Sequence, residues 1–185
     1  MNSKASILAL VAILVAALLF ATGEACEGVP SMSMEAACHS AASTDHAMYD
    51  LCFRTLYSSF PPNNKISTYA GVAARTTTMF CEDTANSIAS MIREGLVPRR
   101  QKQMWSGCVG DLHIAQQAMA AVQDQLGRCL FAHLREKYME ARVSIQHCTD
   151  KLVSVGGTSQ LTYHMVAESR DRAFLALQLG ASLMH

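Results

Sequence analysis

The chain contains 185 residues, and its 15 Lys and Arg side chains balance 15 Asp and Glu side chains, so the formal net charge is zero. Nucleic acids and acidic membranes attract proteins first through excess positive charge, so this balance favours neither as a partner. The seven cysteines therefore become the main question, because they either carry chemistry or cross-link the fold.

The N-terminus has the organisation of a secretory signal peptide. Lys4 is followed by an unbroken apolar run at residues 7–20 and then by mostly small residues. The run is short for a bilayer of ~30 Å, which favours a signal peptide over a membrane anchor. We predict that residues 1–25 are removed, with cleavage after Gly23 or Ala25. No second hydrophobic span follows, so we expect one secreted domain with no membrane association after cleavage.

The mature chain, residues 26–185, begins with a polar helical segment that contains two cysteines. In the stretch ACHSAASTDHAMYDLCFRTL, Cys38 and Cys52 lie on either side of Asp45, whose small neighbours allow a turn between two short helices. Disulfides form in the oxidising secreted environment, so we predict a Cys38–Cys52 bond that staples an N-terminal helical hairpin at about 33–60. Closing a loop of this size stabilises the fold by ~3 kcal/mol on the chain-entropy account.

Metal binding and nucleophilic catalysis are the alternative interpretations of these cysteines. The neighbouring pairs Cys38–His39 and His147–Cys148 point about 100° apart on a helix, so neither pair can close on one ion. The sequence has no C-x-x-C or H-x-x-x-H spacing, no G-x-S-x-G turn and no framed pair of carboxylates. We therefore predict no catalytic, metal-binding or cofactor-binding residue, and a protein that is not an enzyme.

Helical periodicity dominates the chain after the break at residues 61–64. Apolar residues recur at steps of three and four in successive segments, and no window shows sustained alternation of period two. The segments run from Ile66 to Met91, from Trp105 to Leu126, from Leu130 to Val155 and from Val166 to Leu183. Gly95 and later Gly156–Gly157 end two of them, and Thr158 can cap the last. The predicted fold class is all-α, an antiparallel four-helix bundle at about 64–185.

A second disulfide follows from the symmetry of a helical hairpin. Cys108 and Cys148 both lie on apolar stripes, and the midpoint between them falls at the turn expected at Gly127–Arg128. Residues equidistant from the turn of an antiparallel hairpin lie side by side, so we predict a Cys108–Cys148 bond. The loop that it closes is worth ~4 kcal/mol.

Three cysteines remain, and the sequence assigns only one of them. Cys81 is expected to be a buried free thiol in the middle of the first long helix. A Cys81–Cys129 bond would violate the short Cα separation that a disulfide requires, because Cys129 lies at a turn far along the bundle. Cys26 could reach Cys129 only if the N-terminal hairpin folds back. We expect a monomer, and the sequence leaves open both this pairing and a dimer through a spare cysteine.

One set of residues spread over 33–185 matches a known pattern. These residues are Cys38, Leu51, Cys52 and Leu56, followed by Cys108, Ala115, Ala141, Ser144, Cys148, Thr149 and Asp150. On them the chain resembles the plant invertase and pectin methylesterase inhibitor family, and the stretch YDLCFRTL looks most like its grass members. The resemblance implies a signal peptide, a stapled hairpin, a four-helix bundle and a secreted protein of the plant cell wall, the apoplast.

The resemblance also implies a function and a partner. We expect a protein inhibitor that forms a one-to-one complex with pectin methylesterase and blocks its substrate cleft. The first alternative is an inhibitor of cell-wall or vacuolar acid invertase, and the second is a structural or signalling binding module that inhibits nothing. The candidate partner contacts are three residues beside the second disulfide that we expect to be exposed: Asp111, Gln116 and His147.

Several positions depart from the family pattern. Leu112 replaces a common aromatic, Leu152 replaces the phenylalanine of C-x-D-x-F, and His147 stands where many pectin methylesterase inhibitors carry threonine. No Pro-Lys-Phe tripeptide occurs at 127–131, where invertase inhibitors are expected to carry it. This absence weakens the invertase alternative most, and the three substitutions leave room for the binding module.

A basic cluster surrounds the loop between the first two long helices. It consists of Arg93, Arg99, Arg100 and Lys102. The sequence allows two interpretations, a solvated loop or a contact surface for a partner.

Overall fold

The computed structural model describes residues 26–57, 63–154 and 160–184. The predicted signal peptide, the break at 61–62, and the predicted stop and cap at 155–159 lie outside these residues. Two short strands and six helices make up the described chain. They are β1 (Ser31–Ser33), α1 (Met34–Ala42), α2 (His46–Tyr57), β2 (Asn63–Lys65), α3 (Ile66–Arg93), α4 (Lys102–Gly127), α5 (Leu134–Ser154) and α6 (Gln160–Gly180).

The N-terminal hairpin consists of α1 and α2, and its local sequence explains both helix starts. The Ser33 hydroxyl accepts a hydrogen bond from the Ala36 N–H at 3.1 Å, which caps α1. Asp45 caps α2, because its Oδ1 accepts from the N–H groups of Ala47 at 2.9 Å and Met48 at 3.2 Å. The Cys38–Cys52 disulfide joins the two helices with a Cα separation of 5.5 Å. The hairpin that the sequence predicts is therefore closed both by caps and by a covalent bond.

Helices α3 to α6 form the predicted all-α four-helix bundle. Helix α3 packs against α4 and α6, and α5 packs against α4 and α6, so neighbouring helices are antiparallel. The apolar stripes face inward and bury large side chains completely, including Tyr69, Ile88, Met119, Ile145 and Leu175. Helix α3 ends two residues before Gly95, whose φ of +77° ends the helical path at low steric cost.

An arginine of α6 adds to the packing of the hairpin on the bundle. The guanidinium of Arg172 lies 3.6 Å from the ring centroid of Phe80 on α3. Its nitrogens donate to Glu168 Oε1 at 2.7 Å and to the Thr55 hydroxyl of α2 at 3.4 Å. This cation, whose side chain is 13% exposed, therefore connects α6 with both α3 and α2.

The connection between α4 and α5 differs from the predicted turn. The stripe that starts at Leu130 predicts a helix from that residue, but α5 begins at Leu134, and Leu130 remains 49% exposed. Cys129 has a φ of +57°, which breaks the helix directly after the C-terminus of α4. The connection is therefore longer than the two residues Gly127–Arg128.

The open question of Cys26 is resolved at this connection. Cys26 and Cys129 form a disulfide with a Cα separation of 5.5 Å, and Cys81 is the free cysteine of the described chain. Strand β1 pairs antiparallel with β2 at the start of α3, which holds the N-terminal segment at the end of the bundle where α4 finishes. The ammonium of Lys65 also donates to the Cys26 carbonyl at 2.8 Å. Three-residue strands are too short to show alternation, so the sequence did not reveal them.

Candidate functional site

Reactive groups are scarce in the part of the chain that the structure describes. These residues contain no group of three or more His, Cys, Asp and Glu that could hold a metal ion. None of their helices combines the length and apolar character needed to span a membrane. Cys81 is fully buried, and burial raises the pKa of its thiol to about 12, so the thiolate is scarce at neutral pH. The sequence directs attention to the surface around the second disulfide.

The Cys108–Cys148 disulfide connects the buried sides of α4 and α5, with a Cα separation of 4.1 Å. An ion pair lies beside it, because the Lys151 Nζ atom is 2.5 Å from Asp111 Oδ2. The lysine stem runs along Gly107, where an added Cβ would meet the Lys151 Cδ and Cε atoms at 3.4 Å. A covalent bond and a charged hydrogen bond thus hold α4 and α5 together at this point.

The expectation that Asp111 is exposed is wrong. Only 11% of its side chain is accessible, whereas 32% of the Lys151 side chain is accessible. Asp111 follows Cys108 by three residues, so both side chains lie on the side of α4 that faces α5. A partially buried carboxylate needs a compensating charge, and Lys151 supplies it. The Asp111 carboxylate is therefore already paired within the bundle.

Gln116 belongs to a different groove, the one between α3 and α4. Its Nε2 donates to Glu82 Oε2 of α3 at 3.1 Å, and its Oε1 lies 3.3 Å from the His113 Nδ1 atom. Glu82 and His113 are exposed, and Gln116 is half-buried. These three side chains form a polar row that crosses from one helix to the next.

His147 is exposed on α5, next to an apolar strip of the same helix. Val143 precedes it by four residues and is 46% exposed, and Met139 lies four residues earlier and is 42% exposed. Ile114 on the neighbouring helix α4 is 45% exposed. We call these four residues the α4–α5 face. Met is enriched in protein–protein interfaces, so an exposed strip that contains it is a candidate contact surface.

The three predicted contact residues are therefore not brought together as one patch. Asp111 faces α5, Gln116 faces α3, and His147 points to solvent. Sequence reasoning missed Lys151, Glu82 and the apolar residues of the α4–α5 face. The spacing of Lys151, three residues after Cys148 as Asp111 is three after Cys108, was a usable signal for the ion pair. No comparable signal in the sequence marks Val143, because a valine can lie either in the core or on the surface of a protein.

The fold and its cross-links define a class: an all-helical, disulfide-linked four-helix bundle preceded by a helical hairpin. Two solved structures with a similar fold are pectin methylesterase inhibitors. One from Arabidopsis thaliana aligns with a TM-score of 0.61 at 17% identity, covering 82% of this chain and 96% of that chain. A mutant form of a pectin methylesterase inhibitor from Arabidopsis gives a TM-score of 0.66 at 16% identity, covering 80% and 95%.

Comparisons that use the amino-acid sequence alone find no match, in contrast to the structural comparison. No protein-family model matches the chain, and no curated protein matches it significantly. At 16–17% identity, the structural likeness establishes the fold.

Proposed function

We propose that this protein is a secreted inhibitor of pectin methylesterase, related to the grass members of that inhibitor family. The observation that carries the proposal is the fold match, which covers 80–82% of this chain and 95–96% of the solved inhibitors. The described part of the chain agrees with this proposal, since its surface is rigid and its one free cysteine is deeply buried.

In the proposed mechanism, the α4–α5 face lies across the substrate cleft of the enzyme and blocks entry of the polymer. The disulfide and the Asp111–Lys151 ion pair fix α4 relative to α5 before binding. A preorganised surface loses little conformational entropy on association, so more of the contact energy appears as affinity. A one-to-one complex is then expected, with no chemical step performed by the inhibitor.

The proposal is tested by titrating plant pectin methylesterase with the refolded mature protein, with acid invertase measured in parallel. We expect loss of esterase activity at a near-stoichiometric ratio and unchanged invertase activity. Inhibition of invertase alone would transfer the proposal to that enzyme. A folded helical protein that inhibits neither enzyme would contradict it and support the binding module instead.

A matched pair of variants tests the assigned face. Val143→Glu places a charge on the α4–α5 face, whereas Met79→Glu places the same charge on α3 at a residue that is 54% exposed. We expect Val143→Glu to weaken inhibition about tenfold or more and Met79→Glu to leave it unchanged, because burying an unpaired charge in an interface is costly. Equal effects, or an effect of Met79→Glu alone, would contradict the assignment.

The remaining predicted contacts are tested by the double substitution Gln116→Ala/His147→Ala. If these side chains contact the enzyme, its dissociation constant rises, while the unfolding curve stays almost unchanged. An unchanged dissociation constant would remove both residues from the proposed interface.

Secretion and domain limits are proposed from the sequence and have a direct test. N-terminal sequencing of the protein from a plant secretory system should begin at Glu24 or Cys26. A mature chain that retains the apolar run at residues 7–20 would refute the signal peptide and the proposed domain at 26–185. Sedimentation of the same material should show a monomer.

A further inference from the structure

The loop between α3 and α4 concentrates positive charge in a chain that has no net charge. Between residues 93 and 110 there are four cations and one acidic residue, Glu94. The cations are Arg93, Arg99, Arg100 and Lys102, and we call them the basic end.

The cations of the basic end lack ionic partners within the described chain. Arg99 and Arg100 are exposed and Lys102 is half-buried, and none of the three forms an ion pair there. Arg93 donates to the Ser90 hydroxyl at 3.0 Å, and Glu94 accepts from the same hydroxyl at 2.7 Å. The one acidic residue is therefore already hydrogen-bonded on α3.

The backbone that carries these cations is well anchored. Val97 is buried, and the Gln101 N–H donates to the Pro98 carbonyl at 2.8 Å in the 3₁₀ turn Arg99–Gln101. The Leu96 N–H donates to the Met91 carbonyl at 3.0 Å. An ordered backbone keeps these cations together at one end of the bundle, which favours a partner that carries several negative charges.

We propose that the basic end binds an acidic polysaccharide whose sugar units carry carboxylates, as de-esterified pectin does. Arginine presents a planar fork of donors that matches a carboxylate, and two adjacent arginines can engage successive carboxylates of one polymer. Leu96 of the same loop is 68% exposed, and exposed apolar side chains favour membrane insertion, so an acidic membrane is the competing partner that the experiment has to separate from the polysaccharide.

This proposal rests on the proposed function for its biological meaning. Hydrolysis of pectin methyl esters by the target enzyme leaves carboxylates on the polymer. An inhibitor that binds those carboxylates accumulates where the enzyme has already acted, so the product recruits the inhibitor. The α4–α5 face would remain available for the enzyme, because the basic end is a separate surface at one end of the bundle.

The first experiment measures binding of the mature protein to polygalacturonate and to highly methyl-esterified pectin. We expect binding to polygalacturonate that weakens as salt increases, and little binding to the neutral polymer, because exposed charges are screened over about 10 Å at 0.1 M salt. Absence of binding to polygalacturonate, or equal binding to both polymers, would overturn the proposal. Vesicles with acidic lipids form a third arm, and binding to them in preference to polygalacturonate would also overturn it.

Two triple variants locate the surface. Arg99→Ala/Arg100→Ala/Lys102→Ala removes three charges from the basic end, and Arg75→Ala/Arg128→Ala/Arg135→Ala removes three charges elsewhere. We expect the first variant to bind polygalacturonate about tenfold more weakly and the second to bind like the wild type. An equal loss of affinity in both variants would show that net charge alone causes binding, and would contradict the assignment of binding to the basic end. Circular dichroism and thermal unfolding of both variants show that folding is retained.

Enzyme inhibition separates this proposal from the one on which it rests. The first triple variant is expected to form the enzyme complex as well as the wild type when no pectin is present. A wild type that binds polygalacturonate but forms no enzyme complex would defeat the proposed function and leave the polyanion site. A wild type that forms the complex but does not bind polygalacturonate would leave the proposed function and defeat the polyanion site.

Discussion

The two ends of the bundle carry similar charged residues but differ in how many of them form ion pairs. At one end, α4 finishes and α5 begins, and two of the cations there pair within a helix, Arg128 with Asp124 at 3.4 Å and Lys137 with Glu140 at 2.8 Å, whereas Arg135 forms no ion pair in the described chain. We call this the clamped end, since the Cys26–Cys129 disulfide also lies there. At the basic end, Arg99, Arg100 and Lys102 form no ion pair in the described chain. The comparison teaches that charge composition alone does not distinguish the two ends, whereas the clustering of unpaired cations at the basic end does.

The two ends also differ in how they are held together. The clamped end joins the N-terminal segment to the α4–α5 connection, so its disulfide closes a very long loop. The basic end is held by the packing of Val97 and by backbone hydrogen bonds. Further inside the bundle, the Cys108–Cys148 bond and the Asp111–Lys151 pair hold α4 to α5. The following changes test these differences, from the largest expected effect to the smallest.

Removing the Cys26–Cys129 disulfide, which we call the clamp, should have the largest effect on stability. Cys26 and Cys129 are 103 positions apart, and a loop of that order contributes about 4 to 5 kcal/mol through the entropy of the unfolded chain. We expect the free energy of unfolding of Cys26→Ala/Cys129→Ala to fall by up to that amount, measured by denaturant titration. The control is Cys108→Ala/Cys148→Ala, which opens a shorter loop. A smaller loss from the clamp than from the control would contradict a long-loop constraint.

Gly180→Ala tests the packing of the clamped end. A Cβ at this position would lie 2.7 Å from the Tyr138 hydroxyl oxygen and 2.8 Å from its Cε2. Overpacking of a fully buried ring is expected to lower the free energy of unfolding by about 2 to 3 kcal/mol. Gly127→Ala is the matched control, because nothing lies within 4 Å of its added Cβ. Thermal unfolding should show a lower Tm for the first variant only.

Two lysines with the same exposed fraction allow a direct comparison of ion pairs. Lys151 and Lys137 are each 32% exposed, but their partners differ, since Asp111 is 11% exposed and Glu140 is 43% exposed. Lys151→Ala leaves a largely buried carboxylate without its cation, so we expect a loss of about 1 to 2 kcal/mol. Lys137→Ala should leave the unfolding midpoint nearly unchanged. Equal midpoints for the two variants would mean that Asp111 finds enough water or other donors.

Tyr138→Phe should stabilise the clamped end slightly. The Tyr138 hydroxyl is buried and has no hydrogen-bond partner in the described chain, so its removal is expected to raise the free energy of unfolding by about 1 kcal/mol. Burial also raises the pKa of Tyr138. Above pH of about 10 the unfolded state therefore binds fewer protons than the folded state, and stability falls as pH rises. The variant should lose less stability than the wild type in alkaline unfolding curves.

The smallest effects concern the exposed charges themselves. Asp124→Asn breaks a pair whose side chains are 66% and 64% exposed, and a loss of about 0.3 to 0.5 kcal/mol is expected. Arg100→Ala should leave stability unchanged or raise it slightly, since it relieves repulsion from Arg99. A marked loss of stability in Arg100→Ala would show that the basic end has a structural role, and would weaken its assignment as a binding surface.

The elements most local in sequence were predicted best. The steps of three and four fixed which residues of α3 to α6 are buried, because a helix places residues three and four apart on one side. The hairpin and the side-by-side position of Cys108 and Cys148 follow from helix geometry, whereas the caps of α1 and α2 are seen only in the structure. The start of α5 was predicted four residues too early, because Leu130 continues an apolar pattern although the chain has already left the helix at Cys129.

By itself, the sequence of this protein determined the class of fold, the four long helices and two cross-links between neighbouring helices. The helices depend on short spacings along the chain, and each cross-link joins two helices that are consecutive in the chain. Only the tertiary structure decided the Cys26–Cys129 pairing, the burial of Asp111 under Lys151 and the difference between the paired and unpaired cations. Each of these depends on which distant segments come into contact. That information is not carried by local periodicity, because it arises when the packed helices and the β1–β2 pair bring remote residues within bonding distance.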